Sequence, residues 1–182
     1  TRLDRVYASS NLAGDTMFSY YGSKSKIIKH YPRPMYEMII EPFAGAAWYS
    51  ATYPEKKIVL NEKYETLYRL WNWLIKEATR EELLVNRNFY VGERVDGLGL
   101  CQEHKDLIGF CINRGSSSPR NVVQRWSCQV QSKPDWASTT FHKLGEIADN
   151  LEKIRHWEVR LGDYSDQENT EATWFIDQPY QF

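Results

Sequence analysis

Met38-Ile39-Ile40-Glu41-Pro42-Phe43-Ala44-Gly45-Ala46 is the stretch that decides how the rest of the chain is read. Three apolar residues run into an acid, then a proline, then small residues around one glycine. This is the pattern of a short buried strand, a sharp turn and a helix start. Pro42 restricts the turn, while Gly45 and its alanine neighbours leave room for a ligand to approach the backbone. Free amides at the following helix start would favour polar or anionic groups of that ligand. The same residues would also make an ordinary strand-to-helix turn, since one glycine falls short of a dinucleotide fingerprint.

Downstream, a helix through Trp48 leads to Pro54, and Lys57-Ile58-Val59-Leu60-Asn61-Glu62 predicts a second strand ending in an acid. From Tyr64 the apolar residues Leu67, Tyr68, Trp71, Leu74, Ile75 and Ala78 recur on one helix face. Strand, helix, strand, helix implies a right-handed, parallel, doubly wound α/β sheet, with ligands beyond the carboxyl ends of its strands. Glu62 would then suit a pair of ribose hydroxyls, or serve as a helix N-terminal acid meeting the macrodipole.

Upstream, residues 1–15 are polar and without period, as in a tail or docking arm. Phe18-Ser19-Tyr20-Tyr21-Gly22-Ser23-Lys24 follows, and Ser23 could cap a helix through Ile27, Ile28 and Tyr31 that Pro32 and Pro34 stop. Its aromatic pair, glycine and lysine could hold a flat ring and a negative group, or form a packed aromatic turn with a solvated lysine.

From about Val85 to Ser138 the α/β alternation breaks into a loop-rich insertion with one short helical run at Leu107, Ile108 and Cys111. Asn113-Arg114-Gly115-Ser116-Ser117-Ser118-Pro119-Arg120, then Arg125, Trp126, Lys133 and Trp136, interleave charge with aromatics. Such a stretch suits a nucleic-acid surface, or a solvated loop. The chain thus divides into 1–84, the insertion 85–138, and 139–182. In the last part, Phe141, Leu144, Ile147, Ala148, Leu151 and Ile154 make a helix face. Trp157–Leu161 predicts a third strand followed by Gly162-Asp163-Tyr164, and Ala172–Asp177 a fourth followed by Gln178-Pro179-Tyr180.

Composition bounds the function. The 182 residues are 42% hydrophobic and 14% aromatic, enough for a folded core. A formal net charge of −1 supplies no global field toward nucleic acid, so any such binding relies on local patches. Cys101, Cys111 and Cys128 are odd in number and form no CxxC pair, which points to reduced, buried thiols and not to a disulfide frame or zinc site. No signal peptide or long apolar span is evident, so a soluble cytoplasmic protein without membrane contact is expected.

The ordered motifs from Phe18 onward resemble those of adenine-specific DNA methyltransferases of the Dam type. Tyr20-Tyr21-Gly22-Ser23-Lys24 is similar to the opening segment that touches S-adenosylmethionine in that family. Glu41-Pro42-Phe43-Ala44-Gly45 resembles its central cofactor loop, with Ala47 where a second glycine is usual. Glu62 falls at the ribose-binding acid, usually aspartate, and Gly162-Asp163-Tyr164 matches the acid that holds the cofactor's adenine. Asn113-Arg114 resembles the Asn-Arg of the inserted recognition region, with Arg120 and Arg125 as further DNA contacts. Asp177-Gln178-Pro179-Tyr180 corresponds to the catalytic Asp-Pro-Pro-aromatic tetrad, with Gln178 in place of proline. In that tetrad Asp177 also touches the cofactor.

The resemblance implies a Rossmann-like methyltransferase domain without a metal, acting on double-stranded DNA in a bacterial or phage-infected cell. Restriction-modification and phage DNA modification are the settings it suggests. It also implies further strands after the tetrad, supplied by a missing C-terminal segment or a second chain. Two other readings accompany it. One is a relative that binds S-adenosylmethionine or DNA without methyl transfer, as Gln178 suggests. The other is a different α/β nucleotide-binding enzyme, such as an NAD-dependent one, which the missing glycine-rich fingerprint disfavours.

Overall fold

In a strand, successive side chains point to opposite faces, so Ile39 and Ile40 commit the first strand to burial on both. The computed structural model describes residues 18–22, 27–84, 89–112, 116–124 and 138–178. The arm at 1–15, the cap Ser23, and Arg125, Trp126, Cys128, Lys133 and Trp136 lie outside them. Strands β1 (Met38–Glu41), β2 (Lys57–Glu62), β3 (Glu158–Leu161) and β4 (Thr173–Trp174) form one sheet in the order β3-β2-β1-β4. Every neighbouring pair is parallel. The fold is therefore α/β with a four-stranded parallel sheet, compatible with a Rossmann-like arrangement.

The first two strands keep their expected bounds, but the fourth is shorter than Ala172–Asp177. In register, Ile39 faces Thr173 and Ile40 faces Trp174, and the Phe175 amide donates to the Ile40 carbonyl at 2.9 Å. Two residues past Ile40 the neighbouring strand turns away at Pro42, which has no amide hydrogen to offer. Ile176 is left 65% exposed at this edge. The helix expected from Ser23 to Tyr31 is, among the described residues, a single 3-10 turn at Ile28–His30. Tyr31 is already extended ahead of Pro32.

Five α-helices follow in chain order: α1 (Trp48–Thr52), α2 (Glu65–Lys76), α3 (Arg80–Leu83), α4 (Gln102–Cys111) and α5 (Ser138–Ile154). Helix α2 packs on β2 and β3 and also on α4 and α5. Its buried arc is accordingly wider than one stripe, adding Leu70 and Trp73 to Leu67, Trp71, Leu74 and Ile75, while Tyr64 stays exposed at the N-cap. Arg155, just past α5, donates to the carbonyls of Leu74, Ile75 and Ala78 at 3.0, 3.2 and 2.6 Å. Those carbonyls have no partner within the helix, so one guanidinium ties the ends of α2 and α5 together.

Winding on both faces was expected; the described residues show helices on one. Side chains from all five helices join Ile39, Ile58 and Leu60 in a single apolar cluster. On the opposite face Ile40 and Val59 meet, among the described residues, Ala172, Met38 and Trp174. The connection from β3 to β4 is too short to carry an α-helix across that face, holding just a 3-10 turn at Tyr164–Asp166. Cys101 is exposed, unlike the buried Cys111, because it sits at the N-cap of α4 and not within the helix. No described helix is long and apolar enough to cross a membrane.

The insertion shares this core through Phe89, Val95, Leu98, Phe110 and Val123. Its loop lies hard against α4, where the Arg120 amide donates to the Gly109 carbonyl at 3.1 Å. A Cβ on Gly109 would come within 2.7 Å of both the Arg120 carbonyl oxygen and the Pro119 Cβ. Gly109→Ala should therefore push the loop off the helix and cost about 1–3 kcal/mol, read as a lower urea midpoint. An unchanged midpoint would show that the close approach is not required.

Candidate active site

In the order β3-β2-β1-β4 the chain reverses its lateral direction at β1, and the crevice beyond the strand ends there is where α/β sheets bind ligands. A cavity of about 210 Å³ lies at this place. Glu41 ends β1, Glu62 ends β2, and Asp177 follows β4 by three residues, so three strand ends deliver three carboxylates to one cavity. Tyr20, Tyr21, Phe43, Trp48 and Phe175 provide aromatic walls, and Ala44, Gly45 and Ala46 expose backbone between them. No lysine or arginine is among the described lining residues.

The turn after β1 is over-determined. Gly45 has φ +51°, its amide donates to Glu62 Oε2 at 3.1 Å, and its carbonyl accepts from Trp71 Nε1 at 2.8 Å. A Cβ there would lie 3.0 Å from the Tyr20 ring, so glycine is demanded by conformation and by space. Ala47, the N-cap of α1, also takes left-handed values, φ 49° and ψ 42°, and has no side-chain cap to offer. Glu41 substitutes for that cap, Oε1 accepting from the Ser50 amide at 2.7 Å. Phe175 is clamped by a parallel stack on Tyr49, centroids 4.5 Å apart, and edge-on by Tyr31 at 5.1 Å. That clamp fixes where the chain leaves toward Asp177.

Electrostatics follow from this burial. Desolvation pushes the Glu41 carboxyl up to about 7, with the facing charges of Asp177 and Glu62 adding to the rise. Glu62 is likewise pushed up to about 7 by burial, against the amides of Gly45, Lys63 and Tyr64 that favour its charge. Burial, then the Glu62 charge, raises the Tyr20 phenol to about 12 and keeps it neutral.

Of the residues singled out from the sequence, the cavity gathers Tyr20, Tyr21, Glu41, Phe43, Gly45, Glu62, Asp177 and Gln178. Pro42 is buried beneath it, its carbonyl accepting from Asn61 Nδ2 at 3.3 Å. Asp163 and Tyr164 do not line it. Asp163 pairs with Lys63 at 2.8 Å and caps the 3-10 turn through the Ser165 amide, which holds its carboxyl down near 2. Tyr164 packs against the lining residue Phe43, ring centroids 5.2 Å apart. Arg120 is exposed on the loop over α4, outside the cavity. Lys24, Asn113, Arg114, Pro179 and Tyr180 lie outside the described residues.

Of the lining residues, Trp48, Ser117 and Phe175 were not singled out as site residues in the sequence. Ser117 reaches the cavity because its loop is seated on Gly109, a contact with no local signature. Trp48 lines it, and its buried Nε1 has no hydrogen-bond partner among the described residues. Among the described residues no group of three or more His, Cys, Asp or Glu is arranged to hold a metal ion. No protein-family model matches the chain, and no curated protein is significantly similar to it.

Ala47→Gly should relieve the left-handed strain and raise stability by about 1 kcal/mol, a melting-point gain of roughly 2–4 °C. A lower melting point would mean that Ala47 is not strained. The two buried carboxyls set the pH dependence. Folded, they hold protons up to about 7 that the unfolded chain releases near 4.5. Stability should therefore fall as pH rises from about 4.5 to about 7 and level off above. Urea unfolding at pH 5 and pH 8 reads this, and Glu62→Gln should shrink the difference; an equal difference in that variant would exclude Glu62 as its source.

Proposed function

We propose that the protein is an S-adenosylmethionine-dependent methyltransferase that modifies the N6 amino group of adenine in DNA. The observation that carries this reading is the convergence of Glu41, Glu62 and Asp177 on one aromatic-walled cavity with no described lysine or arginine. A site so acidic favours a cationic, hydroxyl-bearing ligand and disfavours one that enters through a pyrophosphate. S-adenosylmethionine has a sulfonium, an ammonium and a ribose diol, which suit this donor set, whereas a nicotinamide dinucleotide does not. The motif order from Tyr20 to Tyr180 supports the same assignment.

On this reading the cofactor supplies an electrophilic methyl group, and the chain's own residues do the rest. Glu62 would accept from the ribose hydroxyls, and Phe43 and Tyr20 would flank the flat rings. The poor partner in the reaction is the nucleophile, because N6 shares its lone pair with the purine ring. Asp177 and the backbone carbonyl of Gln178 would accept hydrogen bonds from the amino group, returning electron density to nitrogen and aiming it. The base must leave the duplex to reach them, and Tyr180 would offer it a stacking face. Exposed Arg120, with Asn113, Arg114 and Arg125, would meet the DNA.

One residue favours a second reading, binding without methyl transfer. Gln178 lacks the ring that would rigidify its carbonyl where the resembled tetrad has proline. Incubation with DNA and methyl-labelled S-adenosylmethionine separates the two, with label in adenine expected. Asp177→Ala should lower incorporation by about 10³-fold or more while cofactor binding persists, and Glu62→Ala should lose cofactor binding itself. Bound cofactor with no label in the parent protein would select the second reading. Activity in Asp177→Ala equal to the parent would overturn the catalytic assignment.

A further inference from the structure

Strand β2 runs through Ile58, Val59 and Leu60 to Asn61, which is 1% exposed and so buries a side-chain amide in an otherwise apolar stretch. Asparagine is a poor strand residue, and a buried amide is destabilising unless its donors and its acceptor are met. Each is met here. Nδ2 has two hydrogens, and it donates to the Pro42 carbonyl at 3.3 Å and to the Gly162 carbonyl at 3.1 Å. Both carbonyls lie one residue beyond the last ladder pairs of β1 and β3, so a side chain of the strand between them holds its two neighbours where the ladders stop. Oδ1 accepts from Gln167 Nε2 at 2.7 Å, and Gln167 Oε1 in turn accepts from the Arg160 guanidinium at 3.3 Å.

The two peptides that flank Phe43 are both tied to this residue. The Pro42 carbonyl, in the peptide before Phe43, takes the Asn61 side chain, and the Ala44 amide, in the peptide after it, donates to the Asn61 carbonyl at 3.2 Å. Phe43 lines the cavity, and its ring meets Tyr164, two residues past the tethered Gly162, with centroids 5.2 Å apart. Asn61 itself is not among the lining residues. We propose that Asn61 is the positioning residue of the cavity's aromatic wall, acting on a bound ligand through Phe43. This role presupposes the S-adenosylmethionine site proposed above. A misplaced wall weakens what the cofactor and its demethylated product share, the nucleoside, so both should lose affinity alike. Loss of a carboxylate would instead penalise the cationic sulfonium more.

The test is calorimetric titration of the full chain with S-adenosylmethionine and with S-adenosylhomocysteine, in a double-mutant cycle. Asn61→Ala should weaken both ligands about tenfold, while methyl transfer at saturating cofactor falls much less than affinity. Phe43→Ala should weaken them too. The double variant should bind as Phe43→Ala does to within about twofold, because Asn61 acts through that ring. A purely structural asparagine would add its own loss to that of Phe43. Gln167→Ala removes one partner of the amide from a half-buried position, so it should fold as the parent does and weaken both ligands about threefold. It closes the cycle with Phe43→Ala in place of an Asn61→Ala chain that does not fold. Binding by the Asn61 and Gln167 variants equal to the parent's, or losses that add in full, would overturn the role of Asn61 and leave the cofactor site standing. A parent chain that binds neither ligand would overturn the methyltransferase reading and this role with it.

Discussion

Everything at the candidate site depends on the turn at Gly45. Its amide is held by Glu62 from the end of β2, its carbonyl by Trp71 from α2, and its α-carbon lies under the Tyr20 ring. Three segments distant in sequence therefore meet on one residue, and none can shift without breaking a contact to it. The buried carboxylates are part of the same construction. Glu41 stands in for the cap that Ala47 cannot provide, and Glu62 collects three backbone amides. Ionised groups are costly to bury, and these amides offset only part of that cost. The acidity of the cavity is thus a by-product of how the turn is built.

This dual use constrains what can be changed. In Glu62 the same carboxylate that would meet a ligand also anchors the turn, so removing it weakens scaffold and site together. Asp177 follows a two-residue edge strand, two residues past the clamped Phe175.

The sequence was most legible where local pattern and tertiary demand coincide. Strands β1 and β2 are apolar runs closed by acids, and a centrally buried parallel strand needs nothing more. Helix α2 was legible as a helix but not in the width of its buried arc, which depends on α4 and α5 packing behind it. Strand β4 was overread because its length is set by where β1 turns at Pro42, a property of the partner and not of Ala172–Asp177. Of the candidate site, the residues on the Gly45 turn and at the strand ends were legible as a motif. Ser117 was not, because it arrives through a loop whose seat is the bare backbone of Gly109. Winding on both faces was inferred from alternation alone, which does not say that the β3-to-β4 connection lacks an α-helix.

A cavity with three carboxylates is an unusual neighbour for a polyanion, and on the proposed reading that tension has a physical solution. Asp177 repels phosphate, and Glu41 and Glu62, part-ionised near neutral pH, add to it, so the DNA backbone must be held elsewhere, by exposed cations such as Arg120. A nucleobase carries no charge and can cross into the cavity once it leaves the stack. The field that excludes phosphate also favours a sulfonium in the same space. Acidity would then select twice, admitting the cationic methyl donor and the neutral base while keeping the backbone outside. The net charge of −1 fits this division, because attraction to DNA rests on local patches and the interior field is left to sort what enters.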